Sequence, residues 1–224
     1  ASKADIMSIV GLDEKMVQVV YLAPDEQFFI QKDKAEKERV RNKYHLEHRF
    51  ALFVGDVNWN KNLSRSIEAA TTAKMTLVVV SKPFAEANEV KYNPWRDSLI
   101  EARELARGNP IIRGIGMVSR EELVTLYQLA TVLLFPSYYE GFGLPVTEAF
   151  AAGCPVITTH RGSLKEVAGE AAIIVDPDDT QAIISALTNI VGDSELRHKY
   201  IRLGKERVQQ FSWEKTAKAT YKIY

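Results

Sequence analysis

The residues with the clearest chemistry are Glu140 and Glu148, which flank a glycine-rich stretch in the sequence EGFGLPVTE. A carboxylate accepts hydrogen bonds, and the vicinal hydroxyls of a sugar donate them in pairs. A plain turn needs neither acid. The spacing is therefore compatible with two sets of hydroxyls, one at each end of the stretch.

The residues between the two acids predict a helix start that binds an anion. Gly141 and Gly143 allow the backbone to approach a ligand closely, and Pro145 fits the first turn of a helix. The N–H groups of Gly143, Leu144 and Val146 are expected to point outward at the positive end of the helix dipole, which favours a phosphate. The stretch therefore matches a nucleotide sugar. Spacing alone also permits an ordinary helix start, because short motifs match by chance.

The composition is that of an ordinary globular chain. The 224 residues include 29 Lys+Arg and 29 Asp+Glu, and this balance gives no basic footprint for nucleic acid. The single cysteine, Cys154, excludes an internal disulfide and fits a reducing compartment. The sequence shows no signal peptide and no apolar run long enough to span a bilayer, so a cytoplasmic protein is expected.

Short apolar runs alternate with amphipathic stretches such as Glu121–Ala130, and this alternation predicts an α/β fold with a Rossmann-like, doubly wound parallel sheet. The amino-terminal residues Ala1–Val10 carry a further helical pattern. The candidate strands are Val17–Tyr21, Phe50–Val54, Met75–Val80, Ile111–Ile115, Thr131–Phe135, Val156–Thr159 and Ala172–Val175.

Three loops are expected to meet at the ligand-binding edge of this sheet, where the carboxyl ends of parallel strands lie. Gly55 follows one candidate strand, Glu140 to Gly143 follow another, and His160 to Ser163 follow a third. The sequence therefore brings the glycine-rich stretch together with two other loops.

Several segments resemble the retaining glycosyltransferases of the GT-B fold, particularly glycosyltransferase family 4. EGFGLPVTE is similar to the E-x7-E motif of that family, and FVGDVNWNKNL resembles its first glycine loop with a lysine. GMVSREELVTLYQLATVLLFPS resembles its nucleobase loop, helix and strand, and GCPVITTHRGSLKEVAGEAAIIVDPDD resembles the segment after the motif. The resemblance implies the carboxyl-terminal half of a GT-B enzyme. Residues 1–30 would be the inter-domain link with a first helix and strand, and residues 31–224 the donor-binding domain.

The resemblance also implies roles for individual residues. It places Glu140 at the donor sugar, Glu148 at the ribose hydroxyls and Lys61 at the diphosphate, with Glu140 and Lys61 as the catalytic residues. It implies neither a metal nor a cofactor, the substrate being a nucleoside diphosphate sugar of the UDP or GDP type. The remaining expected donor contacts, largely through backbone groups, are Gly55, Val118, Gly141, Phe142, Gly143 and Leu144.

The sequence departs from the family pattern at two positions. Many members carry an arginine directly after the loop glycine or directly before the lysine, where this chain has Asp56 and Asn60. The loss of a bidentate phosphate donor predicts weaker donor binding. Either Lys61 and the helix dipole bind the diphosphate alone, or Arg161 or another residue takes the place of the missing arginine.

The function implied by the resemblance is transfer of a hexosyl unit, with mannosyl as one option, to an acceptor hydroxyl in cell-envelope polysaccharide or glycolipid synthesis. The isolated chain is expected to bind nucleotide but to transfer nothing without an amino-terminal acceptor domain. Two alternatives stay open: a non-catalytic nucleotide or sugar-binding module, and a nucleotide-sugar epimerase of the same fold. The apolar end of the chain, from Trp213 to Tyr224, would allow a homodimer, and contact with the inner face of the membrane is left open.

Four other features have structural interpretations. The string Asp176-Pro177-Asp178 matches a metal motif by chance, since Asp178 or Asp179 is expected to cap the next helix. Ser163 and Glu166 are expected to form a capping box. Trp59 either stacks on a ligand or covers the loop at Gly55, and Cys154 is expected to be buried.

Overall fold

The computed structural model describes residues 2–86 and 96–224, and a six-stranded parallel sheet forms the centre of this part of the chain. The strand order is β3-β2-β1-β4-β5-β6, and each neighbouring pair is parallel. The strands are β1 (Ala51–Val54), β2 (Leu77–Val80), β3 (Ile112–Gly114), β4 (Val132–Phe135), β5 (Val156–Thr159) and β6 (Ile173–Val175). The predicted doubly wound α/β fold is confirmed.

Helices cover both faces of the sheet. In chain order they are α1 (Ser2–Val10), α2 (Lys34–Lys43), α3 (Leu63–Thr72), α4 (Lys82–Ala85), α5 (Asp97–Ala106), α6 (Arg120–Leu129), α7 (Leu144–Ala152), α8 (Leu164–Ala168), α9 (Thr180–Gly192), α10 (Ser194–Val208) and α11 (Trp213–Tyr221). The amino-terminal helix and the helices predicted around Glu121–Ala130 and after Asp179 are confirmed. Asp179 caps α9 by accepting from the N–H of Ala182 at 2.9 Å.

Strands β1, β2 and β4 are apolar throughout because each face of the sheet packs against its own layer of helices. Leu52 of β1 lies in the core shared with α6 and α7, whereas its neighbour Phe53 lies in the core shared with α3 and α9. Successive side chains of a strand point to opposite faces, so a strand buried on both sides is mostly apolar. This is why the central strands could be recognised as continuous apolar runs. The buried threonines that end β5 donate their hydroxyls to the carbonyls of Phe135 and Ser137.

The chain reverses its direction of strand addition between β1 and β4, which lie side by side. The helix after β1, α3, packs on one face of the sheet, and the helix after β4, α7, packs on the other. The two connecting loops therefore separate at the carboxyl ends of these strands and leave a crevice. In open α/β sheets this is where ligands bind.

The predicted strand Val17–Tyr21 is wrong. These residues have no place in the sheet; their backbone lies on the surface, and the hydroxyl of Thr216 in α11 donates to the carbonyl of Tyr21 at 2.7 Å. The ring of Tyr21 packs against Phe142 and Phe211, with centroid distances of 6.2 and 5.9 Å. The apolar side chains of a β-branched run can pack within a sheet or against a helix and a loop. Composition alone therefore did not distinguish a strand of the sheet from an extended segment outside it.

Candidate functional site

Lys61 and Glu140 form an ion pair at the crevice between β1 and β4. The Lys61 Nζ lies 2.7 and 2.9 Å from the two carboxylate oxygens of Glu140, and it lies 5.1 Å from the centre of the Phe135 ring. Lys61 ends a short 3-10 turn after β1, and Glu140 is buried in the loop after β4. The structure thus brings together the two residues that the sequence predicted as catalytic.

Gly55 lies directly beneath the lysine side chain. Its φ of +144° is one that residues with a Cβ rarely adopt, and a Cβ placed there would meet Lys61 Cε at 3.8 Å. The glycine is therefore required by the backbone turn, and the available space would tolerate a methyl group. The turn directs the chain so that the lysine stem crosses the end of β1 toward Glu140.

Asn60 and Asn62 fix the loop that carries Lys61. The Asn60 amide donates to the carbonyl of Tyr139 at 2.9 Å, and the Asn60 carbonyl accepts from the N–H of Tyr138 at 2.7 Å. The buried Asn62 amide lies 3.1 Å from the carbonyl of Pro136 and 2.9 Å from that of Pro177. The two asparagines thus join the loops after β1, β4 and β6.

Asn62 was missed by the sequence analysis. Its backbone is left-handed, with φ +56°, a conformation that asparagine tolerates better than most residues. The available signal was an asparagine placed directly before the amphipathic pattern of α3, but that signal equally indicates an ordinary helix start. Its two acceptors come from distant parts of the chain, so only the fold could identify its role.

The backbone of the Glu140 loop is held from behind by Gly162 and Ser163. The Ser163 hydroxyl lies 2.8 Å from the Glu140 carbonyl and 2.9 Å from the Phe142 carbonyl. Gly162 has φ +55°, and a Cβ there would lie only 3.1 Å from the same Glu140 oxygen. The predicted capping box of Ser163 with Glu166 is wrong, because the serine makes no capping bond and its hydroxyl instead donates to the loop.

The helix start between the two glutamates is confirmed, with one correction. Helix α7 begins at Leu144 with Gly143 in the left-handed conformation at φ +97° and Pro145 in the first turn. No side chain caps this end. The N–H of Val146 already donates to the Gly143 carbonyl at 2.9 Å, so it is not available to a ligand. The N–H groups of Gly143 and Leu144 have no backbone acceptor within the described residues and are the ones suited to an anion.

Gly141 and Phe142 complete the loop before α7. Gly141 is exposed, and a Cβ there would meet no atom within 4 Å. The ring of Phe142 packs edge-on against Phe211 at 5.6 Å, which anchors the loop to the carboxyl-terminal part of the chain. The exposed Gly141 and the anchored Phe142 thus lead the chain from Glu140 into α7.

Glu148 lies on the second turn of α7 and is bonded to a tyrosine of the predicted helical stretch Glu121–Ala130. The hydroxyl of Tyr127 donates to Glu148 Oε2 at 3.0 Å. Burial raises the pKa of Glu148, and the hydrogen bond from Tyr127 opposes this shift. Tyr127 is itself fully buried, and its ring packs edge-on against Phe28 with the ring centres 5.7 Å apart. The bond occupies one carboxylate oxygen and leaves the other for a ligand.

The loop before α6 contains Val118, which packs against the core and has no polar side-chain group. Ser119 caps α6 in a capping box with Glu122. Burial would raise the pKa of Glu122, but hydrogen bonds from Lys43, Tyr44 and the Ser119 N–H together lower the pKa to about 2. The loop is thus anchored firmly at its end.

Comparison with known proteins identifies the family. The family described as "Glycosyl transferases group 1" matches residues 34–207. The chain belongs to this family. The match includes both elements that carry Lys61 and Glu140 and all six strands of the sheet.

Among curated relatives of this glycosyltransferase domain, "O-antigen chain mannosyltransferase B" of Escherichia coli is 30% identical over all of this chain and 58% of its own length. "MMP alpha-(1->4)-mannosyltransferase" of Mycolicibacterium hassiacum is 29% identical over all of this chain and 52% of its own. "Glycogen synthase" of Mycobacterium tuberculosis is 27% identical over 77% of this chain and 41% of its own. The chain therefore spans little more than half the length of the first two of these relatives.

Solved structures share the fold. A glycosyltransferase from Rickettsia africae has a TM-score of 0.83 at 18% identity, covering all of this chain and 60% of that one. Sucrose-phosphate synthase from Thermosynechococcus elongatus has a TM-score of 0.78 at 23% identity, covering all of this chain and 56% of that one. The glycosyltransferase domain thus has the architecture of GT-B enzymes.

Arginines pair with both acids of the Asp176-Pro177-Asp178 string in this glycosyltransferase domain. Arg161 lies 3.7 Å from a carboxylate oxygen of each acid, and Arg65 lies 3.7 Å from Asp178. The described residues contain no group of His, Cys, Asp and Glu side chains arranged to hold a metal ion. Asp179 caps the following helix, as predicted.

The remaining sequence predictions concern Cys154 and membrane spans. Cys154 is buried, as expected, and burial raises the pKa of its thiol, so it behaves as a core residue. No helix within the two described ranges is long and apolar enough to cross a bilayer.

Proposed function

We propose that this chain binds the nucleoside diphosphate sugar of a retaining glycosyltransferase of the family 4 type. The whole enzyme would move a hexosyl unit to an acceptor hydroxyl, and the names of two relatives favour mannose. The observation that carries the proposal is the meeting of Lys61, Glu140 and the uncapped start of α7 at the crevice. A cation, a carboxylate and free N–H groups at one point match a diphosphate joined to a sugar.

In this proposal the charged groups stabilise the departing diphosphate. Lys61 and the N–H groups of Gly143 and Leu144 are positioned before the reaction begins, so they stabilise the negative charge as the bond to the sugar breaks. Without donor, the lysine charge is balanced by Glu140. When a diphosphate takes over part of that balance, carboxylate oxygens of Glu140 become available to the sugar hydroxyls.

Glu148 is proposed to accept hydrogen bonds from the ribose hydroxyls. Its bond to Tyr127 fixes the carboxylate orientation and leaves Oε1 without a hydrogen bond from Tyr127. The tyrosine would thus act as a positioning residue behind the carboxylate. The nucleobase would lie at the loop of Met117, Val118 and Ser119, which recognises it through backbone groups.

Neither Arg161 nor Arg65 is free to replace the missing family arginine. Arg161 is engaged by Asp176 and Asp178, and Arg65 donates to the Asp178 carbonyl and to the Thr180 hydroxyl, both at 3.0 Å. We therefore propose that Lys61 and the start of α7 bind the diphosphate without a bidentate guanidinium. This arrangement predicts weak donor affinity.

Calorimetric titration with UDP, GDP and ADP in metal-free buffer tests the proposal. One nucleotide is expected to bind selectively, and Glu148→Ala is expected to weaken it about tenfold, because a charged acceptor of hydrogen bonds is lost. Glu170→Ala, which removes an exposed glutamate on the surface, is the matched control and should leave the affinity unchanged. The proposal fails if no nucleotide binds, or if both variants bind as tightly as the parent chain.

Asp56→Arg is expected to tighten binding of that nucleotide severalfold. Asp56 is exposed and directly follows Gly55, so the substitution removes a charge that repels phosphate and restores a guanidinium where many family members carry one. Asp56→Asn separates the two effects, since it removes only the repulsion. An unchanged dissociation constant in both variants would show that position 56 does not face the phosphates.

A non-catalytic nucleotide-binding module is the second candidate, and Asp56 is the observation that favours it. Asn60 no longer supports it as strongly, because that side chain holds the carbonyl of Tyr139 and so has a structural role. The two candidates differ in whether the whole protein transfers a sugar. A transferase does, and a non-catalytic module does not. Loss of transfer with retained nucleotide binding in a Glu140→Gln variant would favour the transferase.

A further inference from the structure

A second concave site lies beside the Lys61–Glu140 pair and belongs to none of the roles assigned above. It is a cleft of about 320 Å³ at the start of α3, and we call it the α3 cleft. The cleft lies next to this pair because two of its lining residues are close to the pair in sequence. Trp59 precedes Lys61 by two residues, and Tyr138 precedes Glu140 by two. The lining residues that matter here are Trp59, Ser64, Arg65, Glu68, Glu101 and Tyr138.

Trp59 provides a flat apolar surface at this cleft. Trp59 is 61% exposed although its side chain is large and apolar. Its exposure at the cleft favours one of the two predicted roles of Trp59, stacking on a ligand. An exposed indole ring combines an apolar face with an N–H donor and suits a ligand that has C–H groups on one side and hydroxyls around its edge.

The polar groups of the α3 cleft are acceptors of the kind that hydroxyls need. The Glu68 carboxylate has no hydrogen-bond partner among residues 2–86 and 96–224. The Ser64 hydroxyl donates to Glu101 at 2.9 Å, which orients that carboxylate. Carboxylates that remain ionised accept hydrogen bonds in pairs from neighbouring hydroxyl groups.

The charge of the cleft disfavours an anionic ligand. Glu68 and Glu101 contribute two negative charges, whereas the guanidinium of Arg65 is held by the Tyr138 hydroxyl at 3.3 Å, by the Asp178 carbonyl and by Thr180. Its charge is shared with the Asp178 carboxylate. A phosphate or a uronic acid would be repelled, and a neutral polyhydroxylated ligand would not.

We propose that the α3 cleft binds a neutral oligosaccharide, with a sugar ring stacked on Trp59 and hydroxyls bonded to Glu68 and Glu101. The volume lies at the lower end of the range for small-ligand sites, about 300–1,000 Å³. Binding itself does not depend on the donor site. The further role of this cleft, to hold the glycan chain that accepts the transferred sugar, rests on the proposed function.

The test is titration of the chain with mannotriose and maltotriose, followed by the indole N–H signals of its tryptophans in NMR spectra. The signal of Trp59 should shift on saturation, with a dissociation constant in the millimolar range, about 4 kcal/mol of binding free energy. Trp59→Ala should weaken binding about tenfold or more, and Glu68→Ala about threefold. Trp213→Ala removes another exposed tryptophan, in α11, and should leave binding within about twofold.

Three results would overturn the proposal: no shift with either neutral sugar, equal binding by Trp59→Ala and Trp213→Ala, or tighter binding of trigalacturonic acid, an anionic trisaccharide. Nucleotide titration of the same samples separates this inference from the donor proposal. Nucleotide binding without sugar binding would overturn the α3 cleft alone. Sugar binding without nucleotide binding would overturn the donor site alone and leave the cleft as a glycan-binding site.

Discussion

Replacing Lys61 by alanine is expected to weaken nucleoside diphosphate binding about 100-fold, because a partly buried charge aimed at the ligand is lost. The Lys61 Nζ is bonded to both oxygens of Glu140 and lies over the ring of Phe135, so its position is fixed before a ligand arrives. The measurement is the dissociation constant of the preferred nucleotide by calorimetry. Lys165→Ala, at an exposed lysine of α8, is the matched control.

The same substitution should also lower the stability of the fold. Glu140 is buried, and without Lys61 its carboxylate would have no cation bonded to it, which costs about 3–5 kcal/mol in comparable buried pairs. The double variant Lys61→Ala with Glu140→Gln removes that unpaired charge. It should recover most of the thermal stability and none of the nucleotide affinity.

Recovery of stability without recovery of binding would separate the role of Lys61 in the ligand site from its role in the fold. If Lys61→Ala binds the nucleotide as tightly as the parent chain, the lysine does not face the diphosphate. The proposed electrostatic role would then be wrong, whatever the stability measurement shows.

The architecture could be read from the sequence because its signals are local. Buried parallel strands are runs of consecutive apolar residues, and six of the seven candidate strands are present. The seventh, Val17–Tyr21, is also rich in β-branched residues, but it lies outside the sheet, and its Tyr21 ring packs on Phe142 and Phe211. Nothing in a short β-branched run says whether its neighbour is a strand, so this distinction needed the fold.

The candidate site could be predicted in part, for a related reason. Glu140, Glu148 and Lys61 stand in loops that end adjacent strands or in the helix that follows, so topology alone places them at one edge. The residues that orient them were missed. Tyr127 reaches Glu148 across 21 positions, and Asn62 reaches Pro177 across 115, with no periodicity that would link either pair.

These missed contacts share one feature: each supports the site by restraining the backbone or a carboxylate from behind. Asn60 holds the carbonyl of Tyr139, and Ser163 holds the carbonyls of Glu140 and Phe142. A loop held at three of the four carbonyls from Tyr139 to Phe142 keeps its N–H groups and the Glu140 side chain in one orientation. Preorganisation of this kind lowers the cost of binding, because little order remains to be imposed by the ligand.

The substitution Gly162→Ala tests this interpretation. It is expected to lower the free energy of unfolding by about 2–4 kcal/mol. Part of the cost is the left-handed backbone at φ +55°, about 1–2 kcal/mol for a residue with a Cβ. The rest arises because the new Cβ would lie 3.1 and 3.2 Å from the backbone O and N of Glu140, and the backbone has little freedom to move away.

Gly108→Ala is the matched control for this substitution. Gly108 has a similar φ of +69°, and a Cβ there would meet no atom within 4 Å, so its variant carries the backbone cost alone. Chemical denaturation should therefore rank Gly162→Ala as the less stable variant by about 1–2 kcal/mol. Only Gly162→Ala should also weaken nucleotide binding, since it alone displaces Glu140. Equal stabilities and equal nucleotide affinities of the two variants would mean that the Glu140 loop moves away from the new Cβ at little cost. The orientation of the loop would then not be set by the contact with Gly162.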